Sequence, residues 1–133
     1  ILFIPFFGWA ISRLKPIPIN RKEKHISMRK VISIGGERIK DGYTVLIFPE
    51  GTRRNAEDGI GRFGNGGSVL AVNESVPVVP ICHNSGAYWK NHSLKKVAGK
   101  ISIVIGPPIN GVDAKEITKK AQFWISETYK KIN

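Results

Sequence analysis

Residues 43–53 read YTVLIFPEGTR. Tyr43 to Phe48 are aromatic, β-branched or aliphatic almost without interruption, the composition of a strand. Such unbroken apolarity implies that both faces are covered, as in a sheet flanked by helices. Pro49 then ends the ladder, because it has no N–H to give, and Gly51 permits a close backbone approach. Around them stand a carboxylate, a hydroxyl and a guanidinium, on Glu50, Thr52 and Arg53. A plain turn needs none of that charge. In open α/β sheets ligands gather at the carboxyl ends of strands, so FPEGTR is the candidate site. Arg53 offers a planar fork suited to a phosphate and Thr52 a hydroxyl donor. Glu50 repels a phosphate and is expected instead to orient Arg53 or a substrate hydroxyl. The plainer alternative is an exposed ion pair on a turn.

Outward from this stretch, helices and apolar runs alternate, which indicates an α/β fold. The expected architecture is a single domain over 1–133, with a mixed sheet flanked by helices. Ser27 to Lys40 has the period of a helix, with Met28, Val31, Ile32 and Ile39 on one stripe and Gly42 as the stop. Gly35 and Gly36 weaken it. Arg54 to Asn65 is a polar loop, and Ser68 to Glu74 a short helix. VPVVPICH (76–83) and KISIVIG (100–106) are two further strands, the first with proline at its edge. GPPINGVD (106–113) is a turn region. Asp113 and Glu116 form a capping-box pair that opens a last helix, with Ile117, Ala121, Trp124, Ile125 and Thr128 on one face.

The totals bound the function. At 133 residues the chain can bury one core. Its 21 Lys+Arg against 10 Asp+Glu leave a net charge of +11, which attracts a polyanion, either nucleic acid or an anionic membrane. One cysteine, Cys82, excludes an internal disulfide and fits a reducing compartment. No Cys/His cluster has metal-ligand spacing, so no metal is expected. The opening ILFIPFFGWAIS is apolar and aromatic, yet too short to span a bilayer and broken by Pro5 and Gly8. It suits core packing or interfacial seating. Lacking an initiator methionine and a basic leader, it suggests a cut into a longer protein.

Other patterns carry less. GIGRFG (59–64) matches G-x-G-x-x-G, but no strand leads directly into it and no acidic residue lies about twenty positions on; it is expected to be a flexible polar loop. Cys82 could be a nucleophile only beside a base, and His83, its neighbour in a strand, must point to the opposite face. The sequons NES and NHS are short enough to occur by chance. The pairs Lys95/Lys96, Lys119/Lys120 and Lys130/Lys131 suit solvated faces, and no nucleic-acid-binding module accompanies them.

FPEGTR resembles the third signature block of the glycerolipid acyltransferases typified by bacterial 1-acyl-sn-glycerol-3-phosphate acyltransferase, the PlsC family. VPVVPI (76–81) resembles the fourth block, at the expected distance. PFFGW (5–9) and PIPINR, ending in Arg21, look like the approach to and passage through the second, and the run from His83 is similar to the tail of proteobacterial members. The resemblance covers nearly the whole chain. It implies transfer of a fatty acyl group from coenzyme A or acyl carrier protein to the hydroxyl of lysophosphatidate, with no cofactor, on the cytoplasmic face of a bacterial membrane. By the same resemblance Arg53 holds the acceptor's phosphate, with Arg21 as a second cation. Glu50, Gly51 and Thr52 shape the acceptor site, while Val76, Pro77, Val78, Val79 and Pro80 line the acyl-donor side. The family's first block, His-x4-Asp, supplies the catalytic base. Here the residues five beyond His25, His83 and His92 are Lys30, Tyr88 and Val97, so no catalytic residue is assigned in this chain. The block ordinarily precedes PFFGW, and the expectation is an acyltransferase domain incomplete at its amino-terminal side, poorly active by itself. Asn20, where many members carry Asp, and Gly64, where Lys is common, depart from the pattern. A basic, non-catalytic module for membrane or nucleic acid is the second hypothesis.

Overall fold

Residues 8, 9, 13–18, 24–91 and 93–132 are described in the computed structural model, the side chains of residues 24 and 25 excepted. Most of the apolar opening, Ile1 to Leu14, and Arg21 lie outside the described residues. The chain forms two compact units, Ile1–Val45 and Leu46–Asn133, each taken here by itself.

The first unit holds helix α1, Lys24–Lys40, three residues longer at its start than the sequence indicates. Gly35 and Gly36 do not break it; both are buried, so close packing at the glycines offsets their poor propensity, about 1 kcal/mol each. Val31, Ile32 and Ile39 are half-buried along the expected stripe, whereas Met28 is exposed. Gly42 ends the helix at φ 82°. Its N–H bonds Ile39 O and the Tyr43 N–H reaches back to Arg38 O, both at 2.9 Å. This paired pattern satisfies carbonyls that a helix end leaves open, and its left-handed residue favours glycine. Lys15 folds against this end, its ammonium 4.1 Å from the Tyr43 ring centroid.

The second unit is built on its last helix. α2 is Gly66–Asn73, β1 is Ile81–His83, α3 is the single turn Ser85–Tyr88, β2 is Ile103–Ile105 and α4 is Ala114–Ile132. α2 and β1 both pack on α4. Leu70, Ala71, Cys82, Ile117 and Ala121 come from those three elements and form the core with Phe63. Where α2 meets α4, Ser68 and Thr118 bond through their hydroxyls at 2.8 Å. Thr118 also lies 2.8 Å from the Ala114 carbonyl, which can only accept. Thr118 therefore gives its proton there and takes one from Ser68, so neither buried hydroxyl is left unpaired.

The α/β class holds, but the sheet differs from the expected mixed one. Among the described residues it has two antiparallel strands, pairing Ile81 with Ile105, Cys82 with Val104 and His83 with Ile103. The pairing continues through a bridge between Val78 and Ile109, one residue out of register with the main ladder. The extra residue falls at Pro107–Pro108, which have no N–H for a ladder, so the strand bulges there. Tyr43 to Phe48, the strongest strand in the sequence, belongs to no strand among the described residues. Strand propensity describes fit to a pleated, covered surface, and no neighbour supplies one here: Leu46 and Phe48 are 69% and 72% exposed. Val45 and Ile47 are half-buried, and Ile47 lies over Gly67, where an added Cβ would lie 3.2 Å from its Cδ1.

α4 opens as the sequence indicates, with half of the capping box. Asp113 Oδ1 accepts the Lys115 N–H at 2.8 Å. Glu116 pairs with Lys120 at 2.7 Å, the favoured i,i+4 order on a helix surface.

Candidate functional site

Pro49, with its fixed φ, and Gly51 make Phe48 to Gly51 a β-turn, closed by a 3.1 Å bond from the Gly51 N–H to Phe48 O. Gly51 sits at φ 68°, a conformation that costs a side-chain-bearing residue strain. The chain leaves the turn with Gly51, Thr52 and Arg53 all exposed.

Glu50 points the other way. Its Oε2 accepts the Gly61 N–H at 3.0 Å and lies 3.9 Å from Arg54 Nε. The expectation that Glu50 orients Arg53 is therefore corrected: its cationic partner is Arg54, which also donates to Asp58 O at 3.3 Å. The cause is the glycine loop, whose Gly61 N–H draws the Glu50 carboxylate to the side on which Arg54 lies. Arg53 has no ion-pair or side-chain hydrogen-bond partner among the described residues. Two adjacent guanidiniums are thus divided between a structural task and an open one.

The glycine-rich loop is the lining of this arrangement. Gly64 N–H bonds Pro49 O at 2.8 Å, and Gln122 of α4 donates to Gly61 O at 3.0 Å. Tyr129, also on α4, donates to Ala56 O at 3.4 Å. Burial pushes its phenol pKa up, with the charges of Cys82 and Glu50 adding to the effect. A Cβ at Gly61 would fall 2.7 Å from Glu50 Oε2 and 2.8 Å from Arg54 Cδ, so a larger residue there would push this ion pair aside. The loop expected to be flexible is thus strapped to α4 and buried at Phe63; Gly61 lets Glu50 and Arg54 pack closely, and Gly59 supplies a turn at φ 64°.

The stretch that resembles the family's fourth block lies nearby in sequence but makes a different surface. Val76 to Pro80 is extended, with Val76 and Val78 half-buried, Pro77 and Val79 exposed and Pro80 buried. Val78 exchanges two backbone bonds with Ile109, at 3.0 and 2.8 Å, so the segment buttresses the ribbon. Beside it Ala71, Val72, Ser75, Val76, Asn110, Gly111 and Val112 line a shallow cavity of about 300 Å³. Cys82 is buried, its thiol pKa pushed up by desolvation, and its Sγ faces Ile125 O at 3.7 Å. His83 is exposed on the opposite face and bonds Ser85 Oγ through Nδ1 at 2.9 Å. Alternation separates the pair, as the sequence requires. Among the described residues no group of His, Cys, Asp and Glu could hold a metal ion.

One contact could not have been read from the sequence. Asn91 Nδ2 donates to the Arg53 carbonyl at 3.3 Å, joining the loop after α3 to the hexapeptide across 38 positions. Gln122, Tyr129 and Asn91 carry no local motif; only the return of distant segments gives them their role.

A family model described as Acyltransferase matches residues 1–84. The chain belongs to the acyltransferase family. It is 41% identical, over its whole length, to a 1-acyl-sn-glycerol-3-phosphate acyltransferase of Pseudomonas aeruginosa, and covers 53% of that protein. A chloroplastic 1-acyl-sn-glycerol-3-phosphate acyltransferase of Brassica napus is 33% identical over 96% of the chain, which spans 37% of its length. The fold is that of PlsC from Thermotoga maritima, a 1-acyl-sn-glycerophosphate acyltransferase, with a TM-score of 0.78 at 23% identity. That match covers 97% of this chain and 52% of the other. This family member thus spans about half the length of the Pseudomonas and Thermotoga proteins.

Proposed function

We propose that the protein containing this chain transfers a fatty acyl group from an acyl thioester, of coenzyme A or acyl carrier protein, to the free hydroxyl of lysophosphatidate, giving phosphatidate. The observation that carries the reading is Arg53: exposed, without an anionic partner among the described residues, and beside an Arg54 already held by Glu50. A phosphomonoester is the anion that suits a planar, open guanidinium.

In the reaction the acceptor hydroxyl oxygen attacks the thioester carbonyl. A C–O bond forms, the C–S bond breaks, and the hydroxyl proton passes through a base to the departing thiolate. That base comes from the family's His-x4-Asp block, which is not among these residues. General-base assistance is worth about 10²–10⁴-fold, and positioning the hydroxyl supplies a large further share. This chain's part is positioning: Arg53 grips the phosphate with Arg21 as second cation, Gly51 lets the backbone approach, and Thr52 donates a hydroxyl. Glu50 contributes by fixing the turn against the glycine loop. Val76 to Pro80 forms a wall on the acyl-donor side. The net charge of +11 holds the protein to the anionic cytoplasmic face of the membrane, where both lipids reside.

Losing one charge-assisted hydrogen bond of about 1.5–3 kcal/mol lowers kcat/KM by about 10- to 150-fold. In the intact protein, Arg53→Ala should show that loss with lysophosphatidate and little loss with a monoacylglycerol lacking phosphate. Arg53→Lys should recover only part. Equal losses on both acceptors would refute the phosphate clamp.

A further inference from the structure

We infer that the loop from Trp89 to Val97 enters an anionic lipid surface. Leu94 at its tip is 98% exposed, and Trp89 and Val97 are 55% and 59% exposed. Isolated exposed apolar residues are ordinary, but these three share one short loop with Lys95 and Lys96. Among the described residues neither lysine has an acidic partner. No acidic residue occurs between Glu74 and Asp113. An aromatic and aliphatic tip flanked by long cationic stems is the chemistry of the lipid headgroup boundary. There leucine enters the acyl region, indole sits at the interface, and lysines extend their amines to phosphates.

Contacts within the loop, residue 92 aside, hold its described residues together. Val97 N–H bonds Tyr88 O at 2.9 Å and closes its base. Trp89 Nε1 donates to Ser93 O at 2.7 Å, and the Lys96 ammonium lies 4.4 Å from the Trp89 ring centroid. These contacts restrain the residues on either side of Leu94, which lessens the entropy lost on binding. Asn91, within the loop, holds the Arg53 carbonyl. A loop seated in the bilayer therefore sets Arg53 beside the headgroup layer, where a lipid-borne phosphate lies.

The inference rests on the reading of Arg53 as a lipid-phosphate ligand for its purpose, but its test does not use turnover. The intact protein is sedimented with phosphatidylcholine vesicles containing or lacking phosphatidylserine. Leu94→Asp, and separately Lys95→Glu with Lys96→Glu, should each weaken partitioning onto the anionic vesicles by about tenfold or more. Reversing two exposed lysines of α4, Lys115→Glu with Lys119→Glu, should change it less than about threefold. Leu94→Asp should leave the thermal midpoint within about 2 °C of wild type; a larger fall would place Leu94 in packing and overturn the inference. Equal effects of the two lysine pairs would overturn it too, by reducing the attraction to overall charge. Loss with the Lys95/Lys96 reversal alone, with displacement of vesicles by single-stranded RNA, would show a polyanion surface and refute lipid entry. Loss of the Leu94 dependence sinks this inference and leaves the Arg53 clamp standing. An Arg53→Ala without phosphate selectivity does the reverse.

Discussion

Asn84 offers a sharp test of how the second unit is held together. It is 4% exposed, at the end of β1. Its Nδ2 donates to Ile132 O at the carboxyl end of α4 at 2.7 Å, and its Oδ1 accepts the Ser102 N–H at 2.8 Å. One side chain thus ties the ribbon to the helix that carries the core. Asn84→Ala removes both bonds in a place water enters poorly. Each is worth about 1 kcal/mol net, and a stranded donor adds about 1–3 kcal/mol, so the expected loss is about 3–5 kcal/mol. For a chain of this size that lowers Tm by about 12–20 °C. Asn84→Asp separates the two bonds by pH. A protonated carboxyl can donate to Ile132 O and accept from Ser102, as the amide does. An ionised one loses the donor and places negative charge at the negative end of α4. Both that charge and burial raise the folded-state pKa of the introduced acid above its unfolded value of about 3.9. The sign follows: the variant approaches wild type below about pH 4 and loses stability as pH rises through the folded-state pKa. Urea unfolding of wild type and both variants at matched pH measures this. An Ala variant within about 0.5 kcal/mol of wild type, or an Asp variant whose deficit does not grow with pH, would refute the pinning.

Other outcomes follow from the backbone and the buried groups. α2 ends with Ser75 at φ 55°, its N–H bonding Val72 O and the Val76 N–H reaching Ala71 O. Ser75→Gly should therefore stabilise by about 0.5–1 kcal/mol, while Gly42→Ala at the end of α1 should cost about 1 kcal/mol, both read as shifts in unfolding midpoint; opposite signs would contradict the left-handed geometry. Cys82, buried with a raised pKa, should react with a soluble disulfide reagent only as fast as the protein opens. Its proton is kept longer folded than unfolded, so stability should fall as pH rises above the thiol's ordinary 9.0. Cys82→Ala should remove that fall up to about pH 10, where tyrosine begins to contribute. A Cys82 labelled at the rate of a free thiol would overturn its placement.

Some of this molecule is legible in its residue order because the causes are local. Gly42 marks the end of α1 since only glycine adopts that φ without strain, and Asp113 marks the start of α4 since a short carboxylate reaches back to the first free N–H groups. Opposite pointing of Cys82 and His83 follows from the pleat alone. FPEGTR identifies the family because it sets unusual chemistry at fixed spacing. What the order of residues leaves undecided depends on which segments return to one another. Tyr43 to Phe48 has every local mark of a strand, but pairing requires a second backbone alongside, and no composition supplies one. Glu50 could face either arginine until the glycine loop folds over it and offers the Gly61 N–H, which leaves Arg54 as its partner and Arg53 open. Asn91 reaches Arg53, and Asn84 reaches the end of α4, only because tertiary packing brings distant positions within 3.3 Å. Local conformational energies are settled by neighbours in the chain; the allegiance of a charged or amide side chain is settled by whichever distant group displaces its water.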